Sequence, residues 1–394
     1  MMVFARASRV LLVAGVALSL SACSSMKDFF SIGRDNPRAP VDLEDIEATV
    51  KFKTLWSTSV GNGQGKGYYR LTPALDYDKL FVVSADGELR ALNSANGKKI
   101  WERDLQSAVS GGIGLYDDSV FLGLTDGAIT RLDASTGATL WTKPVSGEIL
   151  AAPQSDGDVV VMQSYNGEVQ AFDYETGDTL WTYQANVPVL TLRGTSTPLI
   201  EGSLVIVGFA NGRVMAFDTQ SGAINWEFRV SLPSGRSEIE RISDVDGAML
   251  IDGGVLYVVN YQGNVVAADV ASGRKLWQLP ASSFSGVAEG FGNVYVAQEN
   301  GAVMAAGADG SGLKWEQDAL GWRKLSRPTP VSSYIAVGDY RGYIHLLSQV
   351  DGAIVGRTRV DSDGQRADML ADGDVLYVFG NDGELKALQV QELE

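Results

Sequence analysis

The chain has 394 residues, with 32 lysines and arginines against 48 aspartates and glutamates and a formal net charge of -16. Hydrophobic residues at 45% and charged residues at 20% suit a globular body, and its acidic surface has no broad attraction for nucleic acid or anionic lipid. One cysteine and one histidine leave no disulfide framework and no Cys/His set for a haem or zinc site.

Residues 1–22 carry Arg6 and Arg9, then an apolar run from Val10 to Leu20, and predict an export signal. The run is too short for a membrane-spanning helix, which needs roughly 20 apolar residues. Leu20-Ser21-Ala22-Cys23 resembles the bacterial lipoprotein box. That resemblance implies lipidation of Cys23, and Ser24 in place of Asp implies the outer over the inner membrane; a plain secretory peptide cut near Ala22 is the alternative. Loss of the two arginines would move the formal charge from -16 to -18. Residues 23–50, with Pro37, Pro40 and an acidic run over 42–47, predict a tether with one helical turn near Glu44.

From there on a repeat governs the chain. A turn glycine recurs at Gly87, Gly127, Gly167, Gly212, Gly263, Gly301, Gly342 and Gly383, with spacings of 40, 40, 45, 51, 38, 41 and 41 residues. Fourteen residues after it stands a tryptophan in six copies: Trp101, Trp141, Trp181, Trp226, Trp277 and Trp315. Gly356 takes its place in the seventh. Each copy offers four short strands: an entry such as Thr72-Pro73, an apolar strand such as 79–84, an Asp-Gly turn suited to type I′, an alternating strand such as 89–93, a second turn at Asn96-Gly97, and the tryptophan strand.

Four antiparallel strands per unit of about 40 residues is a propeller blade. The fold expected is all-β, an eight-bladed β-propeller over 51–394. The last copy runs out of chain before its fourth strand, whereas the segment around Trp56 resembles a fourth strand without its first three. An N-terminal strand should therefore close the last blade. The tryptophans are expected to fill the gaps between blades.

Catalytic and metal signals are thin. His345 lies on the strand of the seventh copy, where an ordinary strand side chain is the simpler expectation. Asp361-Ser362-Asp363-Gly364 and Asp244-Val245-Asp246-Gly247 are fragments of a calcium loop without its distant glutamate. Gly61-Asn62-Gly63-Gln64-Gly65-Lys66-Gly67 lacks the Ser or Thr and the helix of a phosphate loop, and predicts a flexible loop. No catalytic residue, metal or cofactor is expected.

The two longest spacings mark insertions, which in a propeller go to loops on its faces. The first holds Val187 to Gly194, with Leu190, Leu192 and Arg193; the second holds Glu238 to Gly247, with Asp244 and Asp246. Apolar anchors, an arginine and a charged rim of two aspartates make a candidate protein-binding patch. The competing expectation is that Leu190 and Leu192 are the buried half of an alternating strand.

The cassette Ala-Leu/Phe-Asp-x-x-Ser/Thr-Gly-x-x-x-Trp resembles the repeat of the PQQ-dependent quinoprotein dehydrogenases. The lipoprotein box, the eight copies, Leu190-Thr191-Leu192-Arg193-Gly194 and Ile242-Ser243-Asp244-Val245-Asp246 together resemble the BamB family of propeller lipoproteins in the outer-membrane β-barrel assembly machinery. The resemblance implies a non-enzymatic scaffold, lipid-anchored on the periplasmic face. It also implies binding to the periplasmic domains of the central barrel subunit, and contact with unfolded outer-membrane protein clients as a second role. It carries the partner surface onto Leu190, Leu192, Arg193, Asp244 and Asp246. The alternative function is a periplasmic PQQ-dependent dehydrogenase; a sugar- or peptidoglycan-binding module is a third.

Overall fold

The computed structural model describes residues 38–393, so the export signal, Cys23 and most of the tether lie outside them. Within them, thirty-two strands form eight four-stranded antiparallel sheets. Seven blades are continuous in sequence, over 74–104, 114–144, 154–184, 199–229, 250–281, 287–317 and 329–359. The eighth joins the strands over 370–392 to Val50–Ser59, which pairs antiparallel with Glu384–Glu392. The ring is the expected eight-bladed propeller, closed by the N-terminal strand.

The middle strands carry the core. Lys79–Val83 and Glu88–Asn93 show the pattern: Leu80, Phe81, Val82, Leu89, Ala91 and Leu92 are all buried, because each blade is covered by a neighbour on both faces. The turns between them differ from expectation. Gly87 takes φ +95° and Gly97 takes +68°, whereas Asp86 and Asn96 keep negative φ. With Gly87 N–H bonded to Ser84 O (3.0 Å), this is a type I turn ending in a left-handed glycine, not type I′. Only the glycine needs its freedom.

Each of the seven tryptophans on a blade's outer strand bridges to the next blade. Indole Nε1 donates to a backbone carbonyl from Trp56 to Ser94 (2.8 Å), Trp101 to Ala134 (3.0 Å), Trp141 to Tyr174 (2.9 Å) and Trp181 to Thr219 (2.8 Å). Trp226, Trp277 and Trp315 do the same to Val270, Ala308 and Gln349. Each ring lies on the glycine of that blade's second turn, between its third and fourth strands: a Cβ on Gly222 would sit 2.7 Å from the Trp181 ring. A register shift beside each tryptophan, as between Ala91 and Leu92 opposite Trp101, twists the outer strand.

The eighth junction is built differently. A Cβ on Gly356 would stand 2.9 Å from Val50 O, so the missing tryptophan makes room for the closing strand. Trp56, on that strand, then serves the first blade.

No helix forms near Glu44. Residues 41–44 are instead strapped to the ring: Val41 N–H bonds Gly321 O (3.0 Å), Arg323 Nη1 bonds Val41 O (2.8 Å), Arg357 Nη1 bonds Glu44 O (2.8 Å), and Leu43 packs against the core of the sixth and seventh blades. The segment's carbonyls are taken by arginines and not by a helical turn. Behind the strap, buried His345 lies 3.1 Å from Asp339 and accepts on Nδ1 from Arg357 Nε (3.1 Å). Because arginine only donates, the proton of the neutral ring sits on Nε2, toward Asp339. Burial lowers the His345 pKa, against the pull of Asp339.

Candidate docking surface

In a meander of four strands, the turn between the second and third strands and the connection to the next blade lie at the same end. One face of the ring therefore carries the glycine turns and all the interblade loops. Loop 185–198, from the third blade to the fourth, and loop 230–249, from the fourth to the fifth, are neighbours there.

The two loops interlock. Asp244 Oδ2 accepts the Leu192 N–H (2.5 Å), and Gly194 lies so close to Asp246 that a Cβ would stand 3.0 Å from the aspartate Cβ. Between the aspartates, Val245 is buried with its N–H on Phe209 O (3.2 Å), which pins the second loop to the fourth blade. Thr191 Oγ1 bonds the Tyr165 hydroxyl (3.1 Å) on the turn of the third blade.

Asp244 and Asp246 form no charged rim: their relative exposures are 0% and 8%. They brace the first loop from beneath. Burial pushes the Asp244 carboxyl up to about 7, against its Leu192 and Ser243 backbone hydrogen bonds. Asp246 is raised well above the ordinary range by burial first and by Asp244 second, with Arg70 opposing. Nor is the first loop a strand: residues 187–194 lie in none, Leu190 is 40% exposed, Leu192 is half-buried and Val189 is fully exposed.

Arg193 does not pair with the aspartates. Its Nη2 bonds Glu148 (2.8 Å) and its Nε donates to Gly67 O (3.0 Å), with Tyr69 and Tyr165 rings at 5.7 and 5.9 Å. The guanidinium is thereby held by three neighbouring segments. Glu148, Tyr69 and Tyr165 are members of this patch that sequence reasoning missed; they come from three different loops and share no local pattern. A signal existed in the glycines of residues 61–67, which permit close backbone approach. That loop is not flexible: Gln64 is fully buried and exchanges hydrogen bonds with the Leu71 N–H (2.7 Å) and carbonyl (3.1 Å).

Among the described residues, no group of three or more His, Cys, Asp or Glu side chains is placed to hold a metal ion. Asp361 spends its oxygens on the Asp363 N–H (2.6 Å) and Asp382 N–H (3.0 Å), which is turn chemistry.

A family model described as outer membrane protein assembly factor BamB matches residues 53–108 and 85–317. The chain belongs to the BamB family. The BamB protein of Pseudomonas aeruginosa is 51% identical over 95% of this chain and 97% of its own length. The crystal structure of BamB from Moraxella catarrhalis superposes with a TM-score of 0.79 at 27% identity, covering 86% of this chain and 99% of that one. A quinohaemoprotein alcohol dehydrogenase from Comamonas testosteroni reaches a TM-score of 0.68 at 13% identity, over 86% and 76% of the two chains. That likeness shows the propeller alone. The BamB relatives, those of Pseudomonas aeruginosa and Marinobacter adhaerens among them, are named outer membrane protein assembly factors.

Proposed function

We propose that this chain is the propeller scaffold of an outer-membrane protein assembly complex and docks the periplasmic domains of the central barrel subunit on the face carrying loops 185–198 and 230–249. The observation that carries this reading is the interlock of Leu192 with Asp244 and Gly194 with Asp246, which presents Leu190 and Arg193 outward on a braced loop. Leu190, Leu192 and Arg193 make the contact; Asp244 and Asp246 hold the loop in shape. Exposed apolar side chains on the same loop as an arginine already held by its neighbours suit a protein partner, since little of the arginine's side-chain entropy is left to lose on binding. Cys23, the only cysteine, carries the lipid that holds the protein on the periplasmic side of the outer membrane. Contact with unfolded outer-membrane protein clients is a second role of the same ring.

Arg193→Glu tests the reading. It places a carboxylate against Glu148 and removes the donor to Gly67, both at the surface. Capture of the barrel subunit from envelope extracts, and affinity for its isolated periplasmic domains, should fall at least about tenfold, with thermal unfolding nearly unchanged. Undiminished capture, or unfolding that shifts in parallel with it, would refute the docking role.

A further inference from the structure

We infer that Tyr68, on the loop that crosses the mouth of the ring, is an aromatic anchor of this same docking surface; the inference rests on the function proposed above. The loop over 60–73 links the closing strand to the first blade, yet it is bonded to three other sides of the face. Arg70 Nη1 donates to Phe284 O (2.9 Å) between the fifth and sixth blades, Gly65 O accepts from Arg366 (3.3 Å) between the seventh and eighth, and Gly67 O accepts from Arg193 (3.0 Å) between the third and fourth. It therefore lies across the channel opening as a fixed plug.

Tyr68 is the outward tip of that plug. It is 72% exposed and sits at φ +59°, with the Arg366 guanidinium 5.0 Å from its ring centre. A left-handed backbone is strained for a residue with a bulky side chain, and such strain collects at functional sites. Gly61, Gly63 and Gly65 take the loop's other positive φ values without that strain, and Tyr68 is the one non-glycine residue of 60–73 that does so. Tyr77 makes the contrast. It is 93% exposed at φ +49°, but it occupies the two-residue turn between Ala74–Asp76 and Lys79–Val83 on the opposite face, where the hairpin itself requires a positive φ.

Tyr68 is continuous with the Arg193 patch, since Gly67 accepts the Arg193 hydrogen bond and the Tyr69 ring lies 5.7 Å from its guanidinium. A stiff aromatic side chain beside arginines is the composition of interface hot spots. Lys66 and Arg70 flank it in sequence and Arg193 and Arg366 bond the same loop, on a chain whose net charge is -16. The partner that fits is a folded periplasmic domain of the barrel subunit, offering an apolar pocket with an acidic edge.

The test measures affinity of the full chain for the purified periplasmic domains of the barrel subunit, with thermal unfolding on the same samples. Tyr68→Ala and Tyr68→Gly should each weaken binding about tenfold or more, and Tyr68→Phe should bind within about threefold of the unaltered chain. Tyr68→Gly should unfold at no lower a temperature, because glycine relieves the left-handed strain. If Tyr68→Ala binds like the unaltered chain while Arg193→Glu does not, Tyr68 is no anchor and the docking surface stands without it. If neither substitution weakens binding, the docking surface fails and the inference with it. Lowered unfolding temperatures in all three Tyr68 variants would make the ring structural and overturn the inference.

Discussion

The tryptophan junctions and the interlocked loops use the same raw materials to opposite ends. At the junctions every polar atom with a role is matched: seven indoles give seven hydrogen bonds to carbonyls of the next blade, and each ring lies on a glycine. Beneath loop 187–194, Asp244 Oδ1 and Asp246 Oδ2 are buried without a hydrogen-bond partner among the described residues. An unmatched buried carboxylate is costly. The blades are thus built for stability, whereas the loop pair gives up stability to hold a surface in one shape.

The comparison breaks most visibly at a junction. Trp181→Ala empties the space over Gly222 and removes the bond to Thr219, and should cost about 3–5 kcal/mol, read as a lowered denaturant midpoint. Partner affinity measured below that midpoint should be unchanged. A loss of affinity in the folded protein would mean that the junctions, too, shape the surface.

The closing junction sharpens it. Six other repeats carry tryptophan where Gly356 stands, so a consensus argument would favour restoring it. The 2.9 Å approach of Val50 O says the reverse. Even Gly356→Ala presses a methyl group on the closing strand and should cost about 1–3 kcal/mol, and Gly356→Trp should cost more, with amide exchange accelerated in Val50–Ser59. A stabilised Gly356→Trp would show that the closing strand has slack.

The last effect lies under the loop and depends on pH. With its pKa at about 7 in the folded chain against 3.8 ordinarily, Asp244 keeps a proton that the unfolded chain has released. Stability from this group is therefore complete below about pH 3.8 and is lost as pH rises through about 7. Asp246 acts in the same direction. Asp244→Asn should lose less stability than the unaltered chain between pH 5 and pH 8 in chemical denaturation, and equal slopes would show that the carboxyl is not strained.

The ring was legible from the sequence because its determinants are local and repeated: a turn glycine, an alternating strand and a tryptophan at fixed distance. Closure was legible from what the first and last copies lack. The turn class was not, because Asp-Gly suits both type I′ and the type I turn found, and only the backbone distinguishes them. At the candidate docking surface, spacing located both loops and their five residues but not their division of labour. Exposure of Asp244 and Asp246 depends on how two loops stack, and Arg193 finds Glu148 and Gly67, 45 and 126 residues away. No pattern within one repeat encodes those pairings.

The strap at Val41–Glu44 bears on how the ring carries load. Tension arriving along the chain from residues before Val41 meets the Arg323 and Arg357 clamps first, fixed to the sixth and seventh blades. The closing strand behind them is bonded along its length to Glu384–Glu392, and it takes load only after the clamps have let go. The strap works as strain relief on a cable, keeping the first load off the ladder that closes the ring.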